Sequence, residues 1–111
     1  NMSFSDANFA YNSDKFNPGS AFQTYADSVT TFMSLNPDKS LTLTGHTCDL
    51  GSDSYNMKLG KKRAESVKRY FRNKGVEVSI NTDSDGETNP AYPNTNDGNR
   101  SKNRRVNVQI K

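Results

Sequence analysis

A chain of 111 residues, 31% of them hydrophobic, has room for one domain with a lean core, which excludes a structure that covers both faces of a sheet. No apolar run approaches the roughly 18 residues that cross a bilayer, and no signal peptide is present, so any targeting segment is expected outside this chain. The net charge of +3 invites a nucleic-acid reading, yet no aromatic stacking platform accompanies it, and no nucleic-acid partner is expected.

Phe9 and Tyr11 alternate with polar neighbours and predict a short first strand. After Asn17-Pro18-Gly19, Ser20 with Gln23 reads as a capping box that starts a helix. Phe22, Tyr25, Ala26, Val29, Phe32 and Met33 recur at steps of three and four and share its apolar face. Asn36-Pro37 ends it. Leu41, Leu43 and Gly45 then alternate with Thr42, Thr44 and His46, the period of a half-buried strand.

A second helix is predicted from about Ser52 to Lys74, with Gly60, Ala64, Val67 and Phe71 as its buried stripe. The small residues allow close approach to the sheet. Basic residues coat this helix, and Gly75 is placed to close it. Val76, Val78 and Ile80 predict a third strand; Val106, Val108 and Ile110 predict a fourth. Residues 82–103, rich in Asn, Asp, Gly and Pro, read as a long loop. The expected class is α+β in the order β-α-β-α-β-β, with both helices on one sheet face and Thr, Ser, Asn and Gln on the other.

The chemistry concentrates between the second strand and second helix. Asn56 and Arg63 are seven apart and share a helical face. Arg63 borders the apolar stripe, where a guanidinium needs an anionic partner. An internal salt bridge to Asp49 or Asp53 satisfies that need as well as a ligand does. The single cysteine, Cys48, excludes an internal disulfide and a multi-thiolate zinc site.

The segment Gly45-His46-Thr47-x-x-x-Gly51-x-x-x-Tyr55-Asn56-x-x-Leu59-Gly60-x-x-Arg63-Ala64 resembles the signature of OmpA-like domains, in a Pal-like Leu-Gly variant. Phe9-Ala10-Tyr11-Asn12, Gly86-Glu87 with Pro90, and Arg100-x-x-Asn103-Arg104-Arg105-Val106 resemble that family's other motifs, in the right order. The resemblance covers essentially the whole chain. It implies a mixed four-stranded sheet, ordered 1-4-2-3, backed by helices. It implies no enzyme and no cofactor, but a groove that binds the diaminopimelate side chain of the peptidoglycan stem peptide. By resemblance Arg63 meets the ligand's carboxylate, while Thr47, Asn56 and backbone near Leu59 build the pocket. Asn12, Asn103 and Arg104 match positions that line or support it. A periplasmic, outer-membrane-associated setting within a longer protein is implied too.

One position departs from the pattern. The family's ammonium-binding Asp follows Gly-His-Thr, and here Cys48 stands there, with Asp49 one residue later. In regular strand Asp49 faces the opposite side; in a loop past the strand end it can turn inward. The rival is a domain of the same family that has lost its ligand and serves as an interaction module. A Cys48–His46 nucleophile lacks a third orienting group. Asp83-x-Asp85-Gly86-Glu87 stops short of a calcium loop, so no metal is expected.

Overall fold

The computed structural model describes residues 9, 12–88, 93–95 and 103–111. Its elements run α1 (Ser20–Leu35), β1 (Leu41–His46), α2 (Asp53–Asn73), β2 (Ile80–Gly86) and β3 (Val106–Ile110). The sheet is ordered β2-β1-β3, with β1 parallel to β2 and antiparallel to β3. This is a mixed α+β sheet and matches the 4-2-3 part of the expected order. The predicted first strand lies, apart from Phe9, outside the described residues; Phe9 itself is buried.

Helix α1 begins as expected at Ser20, but not by the expected device. Gly19 is the N-cap and no side chain caps it; the backbone N–H of Gln23 donates to the Gly19 carbonyl at 3.0 Å, and its amide Nε2 reaches back to the Pro18 carbonyl. Phe22, Ala26, Val29 and Met33 are buried, whereas Phe32 lies 41% exposed, one position off the stripe. Phe16, Phe22, Tyr70 and Phe71 meet edge to face at 5.0–6.1 Å between centroids and tie α1 to α2.

The third strand is displaced from its predicted place. Val76 and Val78 precede it, and β2 runs instead through Ile80–Gly86, of whose 7 residues all but the first two read from sequence as loop. The cause is the way α2 stops. Gly75, at φ +96°, donates to the Arg72 carbonyl, and Val76 N–H donates to Phe71, the two bonds of a Schellman closure. Arg72 Nη1 then donates to the carbonyls of Val76 and Val78 at 2.8 and 2.9 Å, engaging them outside the sheet. Pairing with β1 therefore starts at Ile80 and carries Asn81, Thr82, Asp83 and Ser84 into the ladder despite the low strand propensity of Asn81 and Asp83.

The contact that sets everything else is between β1 and α2. A Cβ on Gly45 would stand 1.7 Å from the Gly60 carbonyl oxygen, a backbone atom that cannot swing away. Leu41, Leu43, Val106 and Val108 fill the core under α2 together with Ala64, Val67 and Phe71. Gly45→Ala is expected to cost about 3 kcal/mol or more through overpacking, whereas Gly75→Ala, with open space around it but a left-handed backbone, should cost about 1 kcal/mol. Thermal denaturation of the two variants checks the order; equal losses would contradict the close-approach account.

Candidate functional site

Past the end of β1 the chain enters Thr47-Cys48-Asp49-Leu50-Gly51 and then the N-terminus of α2. Ser52 caps α2, its hydroxyl accepting from Tyr55 N–H at 3.2 Å. Thr47 N–H donates to the Gly86 carbonyl, which docks the end of β2 against this loop. Gly86 is at φ +54°, and a Cβ there would stand 3.0–3.3 Å from Met57 and the Asn56 backbone, so a larger residue would be strained and crowded in the turn. The loop and the Gly86–Glu87 turn thus converge on the first turn of α2.

Asn56 is buried at that convergence. Its amide Nδ2 donates to the Leu50 carbonyl at 3.1 Å and to Glu87 Oε1 at 3.2 Å. Glu87 lies against Asp53, and the hydrogen bond between the two carboxyls, then partial burial, raises its pKa, with Asp49 adding to the effect. Asp49 is exposed. Three carboxyls therefore crowd the start of α2, where the helix dipole tolerates them and a cation would relieve them.

Two turns along, about 10 Å of helix rise, Arg63 is wholly buried, not at the margin of the stripe where its position predicts it. Its Nε donates to the Ser13 carbonyl at 2.9 Å and its Nη1 to the His46 carbonyl at 3.0 Å, and the Phe9 ring lies 5.1 Å beneath its guanidinium carbon. The chain ahead of α1 folds over it, which is why it is interior. Burial first, then the neighbouring Arg104, pull its pKa down to about 10, while Cys48, Tyr55 and Asp14 act the other way. Of the acidic partners weighed from sequence, Asp53 lies against Glu87.

Arg104 is half-buried; its Nε donates to the Phe9 carbonyl at 3.0 Å and its Nη1 meets Cys48 Sγ at 3.7 Å. Cys48 is buried and faces this guanidinium. Thr47 Oγ1 is buried with no hydrogen-bond partner among the described residues. Leu59 is buried between Asn56 and Arg63 on the same flank of α2. Asn103 is buried, its amide donating to Asn94 Oδ1 at 2.8 Å. Asn12 is exposed, with a left-handed φ of +60°, and begins the segment that crosses Arg63. The structure thus gathers Thr47, Cys48, Arg63 and Arg104 around one electropositive spot, and Asp49 and Asn56 around an acidic one. Sequence reasoning did not single out the Ser13 carbonyl, which no side-chain pattern reports. Glu87 was marked only as part of a turn motif, and its contact to Asn56 depends on long-range folding.

His46 is oriented by Asn107. Arg105 Nε donates to Asn107 Oδ1 at 3.3 Å, so the amide turns its NH₂ toward His46 Nε2, 3.1 Å away. Nε2 is then an acceptor and a proton on it would face another donor. Burial, with Arg105 nearby, lowers the His46 pKa to about 4, Asp85 acting against them. Its ring is engaged with Asn107 and the Cys48 sulfur with Arg104, so the two do not form a nucleophile pair. Among the described residues no group of His, Cys, Asp and Glu is arranged to hold a metal, and no helix is long and apolar enough to cross a membrane. A cavity of about 530 Å³ beside Met33, Pro37 and Val76 is at the other end of α2.

The OmpA family pattern matches residues 8–104. Outer membrane protein A of Bordetella avium is 42% identical over 67 residues, covering 60% of this chain and 34% of that protein. The peptidoglycan-associated lipoprotein of Pasteurella multocida is 34% identical over 94 residues, covering 84% of this chain and 63% of that protein. The chain thus spans less than two thirds of either relative. The crystal structure of the peptidoglycan-associated lipoprotein from Burkholderia pseudomallei superposes with a TM-score of 0.85 at 23% identity, covering 100% of this chain and 91% of that one, a likeness of fold.

A pH dependence follows from His46. The unfolded imidazole takes a proton near pH 6.5 and the folded one only near 4, so stability is full above about 6.5 and falls as pH drops toward 4. The loss across that window is up to about 3 kcal/mol. His46→Gln should flatten the urea-midpoint profile between pH 6.5 and 4; an unchanged slope would assign the acid loss elsewhere.

Proposed function

This chain belongs to the OmpA family of non-enzymatic peptidoglycan-binding domains, and on that premise we propose that it holds the cell wall non-covalently by the diaminopimelate side chain of the stem peptide. The observation that carries the reading is like-charge crowding of both signs around one loop. The half-buried Arg104 stands beside the buried Arg63 and disfavours its charge. An anion bound there relieves both. Asp49, Asp53 and Glu87 crowd in the same way at the start of α2, and a cation relieves them. The free end of diaminopimelate carries one carboxylate and one ammonium. The half-buried Arg104 guanidinium, backed by the charge of the buried Arg63, can meet the first; Asp49 with nearby backbone carbonyls can take the second.

Asn12, Thr47, Asn56, Leu59 and Asn103 are the supporting wall in this reading. Carbonyls of Ser13 and His46 hold the Arg63 guanidinium in orientation, so little side-chain entropy is lost on binding. We place the domain in the periplasm, attached to the outer membrane through a longer protein, as the names of its relatives suggest. The second reading, a domain that has lost its ligand and serves as an interaction module, is favoured by one observation: a buried thiol stands where the family pattern has Asp.

Five substitutions at three positions and one pulldown separate these readings. Arg63→Ala should weaken binding of a diaminopimelate muropeptide by about 1.5–3 kcal/mol, ten- to hundredfold, and Arg63→Lys should also bind worse because an ammonium cannot fork. Asp49→Asn should weaken binding while Cys48→Ala barely changes it; if instead Cys48→Asp tightens binding and Asp49→Asn is silent, the ammonium has no carboxylate in the parent. A parent domain that stays in the supernatant with purified sacculi would establish the ligand-free reading.

A further inference from the structure

On α2 the residues 58, 61, 62, 65, 68, 69 and 72 fall within about a third of the helix circumference, directly opposite the buried stripe of Gly60, Ala64, Val67 and Phe71. Six of the chain's fifteen basic residues, Lys58, Lys61, Lys62, Lys68, Arg69 and Arg72, lie on this arc with only one of its twelve acidic residues. The arc therefore carries five net positive charges against three for the whole chain, and the remainder of the molecule is net negative. A surface charged merely for solubility mixes both signs; here the signs are segregated.

Glu65, the single acid of the arc, accepts a hydrogen bond from Thr82 Oγ1 at 3.0 Å at the edge facing β2. Lys61 donates to the Thr82 carbonyl, Arg69 to Ser66 Oγ and Arg72 to two carbonyls. These acceptors are neutral, so the bonds hold the side chains in place and leave their charge uncompensated. Lys58, Lys62 and Lys68 make no hydrogen bond or ion pair among the described residues.

We propose that this outer face of α2 is an electrostatic docking surface for the carboxylates of neighbouring stem peptides on the same cell-wall polymer, a second contact that rests on the groove reading above. Two features select this occupant. Lys62 lies one helical turn beyond Leu59 on the same flank, so a polymer held at the groove continues onto the track, which extends about 21 Å along the axis. The exposed Tyr55 and Met57 lie only beside the N-terminal end of the arc and none of its own residues is apolar, whereas a surface that seats in lipid headgroups needs apolar residues beside its lysines along its length. A polymer that repeats carboxylates matches a linear row of cations by charge complementarity.

The test uses Lys58→Gln, Lys62→Gln and Lys68→Gln together, because these three side chains have no structural bond to lose and Gln keeps helix propensity. At low salt the triple variant should co-sediment with intact sacculi roughly three- to tenfold less tightly than the parent. The gap should close toward 1 M salt, where screening reaches about 3 Å instead of about 10 Å at 0.1 M. Its affinity for a single soluble muropeptide should stay within about twofold of the parent, and its melting temperature should not move. Sacculus binding equal to the parent's at low salt overturns the track and leaves the groove standing. Failure of the parent to bind muropeptide or sacculi removes both. Parent binding to vesicles containing anionic phosphatidylglycerol, lost in the triple variant while sacculus binding persists, assigns the face to a lipid surface and overturns the proposal.

Discussion

The carbonyl of Gly60 lies where a side chain on Gly45 would have to be, and the rest of the site depends on that approach. Because β1 and α2 touch through backbone, the end of β1 stands directly over the middle of the helix. The His46 carbonyl then reaches the Arg63 guanidinium at 3.0 Å. A Cβ at either glycine would lift the helix and open that bond. The second carbonyl on Arg63 comes from Ser13, fifty residues away in sequence, so the buried cation also ties the segment before α1 to the sheet layer.

Burying a guanidinium is costly unless its donors are met and its charge finds compensation. Backbone carbonyls meet the donors, and the Phe9 ring offers its electron-rich face, yet carbonyls are dipoles and leave the positive charge in place. Arg104 adds a second cation beside it, and Cys48, facing Arg104, contributes a sulfur where the family pattern has a carboxylate. The acidic counterpart is assembled by different means: Asn56 clips Leu50 and Glu87 together, and the tight Gly86 turn brings Glu87 to Asp53.

The same helix presents three distinct faces. Its small-residue stripe sets the distance to β1, its Asn56–Leu59–Arg63 flank faces the loop, and its outer arc holds nearly half of the chain's basic residues. A period of 3.6 residues separates these faces without any change of backbone, which is how a lean chain with one wet sheet face still carries a specific site.

Much of this was written in local pattern. The stripe of α2 and its Gly75 closure, the alternation of β1 and β3, and the α+β class depend on periodicity and on a few special residues, and sequence alone determined them. The ordered motifs likewise identified the family. What only the tertiary structure decided was where long-range partners override local signal. Val76 and Val78 alternate like a strand, but the Schellman closure and Arg72 claim them, and the polar run 81–86 becomes the strand because β1 offers it a ladder. Arg63 reads as a border residue, since spacing cannot foresee that Phe9 and Ser13 will close over it. Whether Asp49 or Cys48 faces the guanidiniums is a matter of loop geometry, and there the tertiary structure turned the thiol in and left the carboxylate outside.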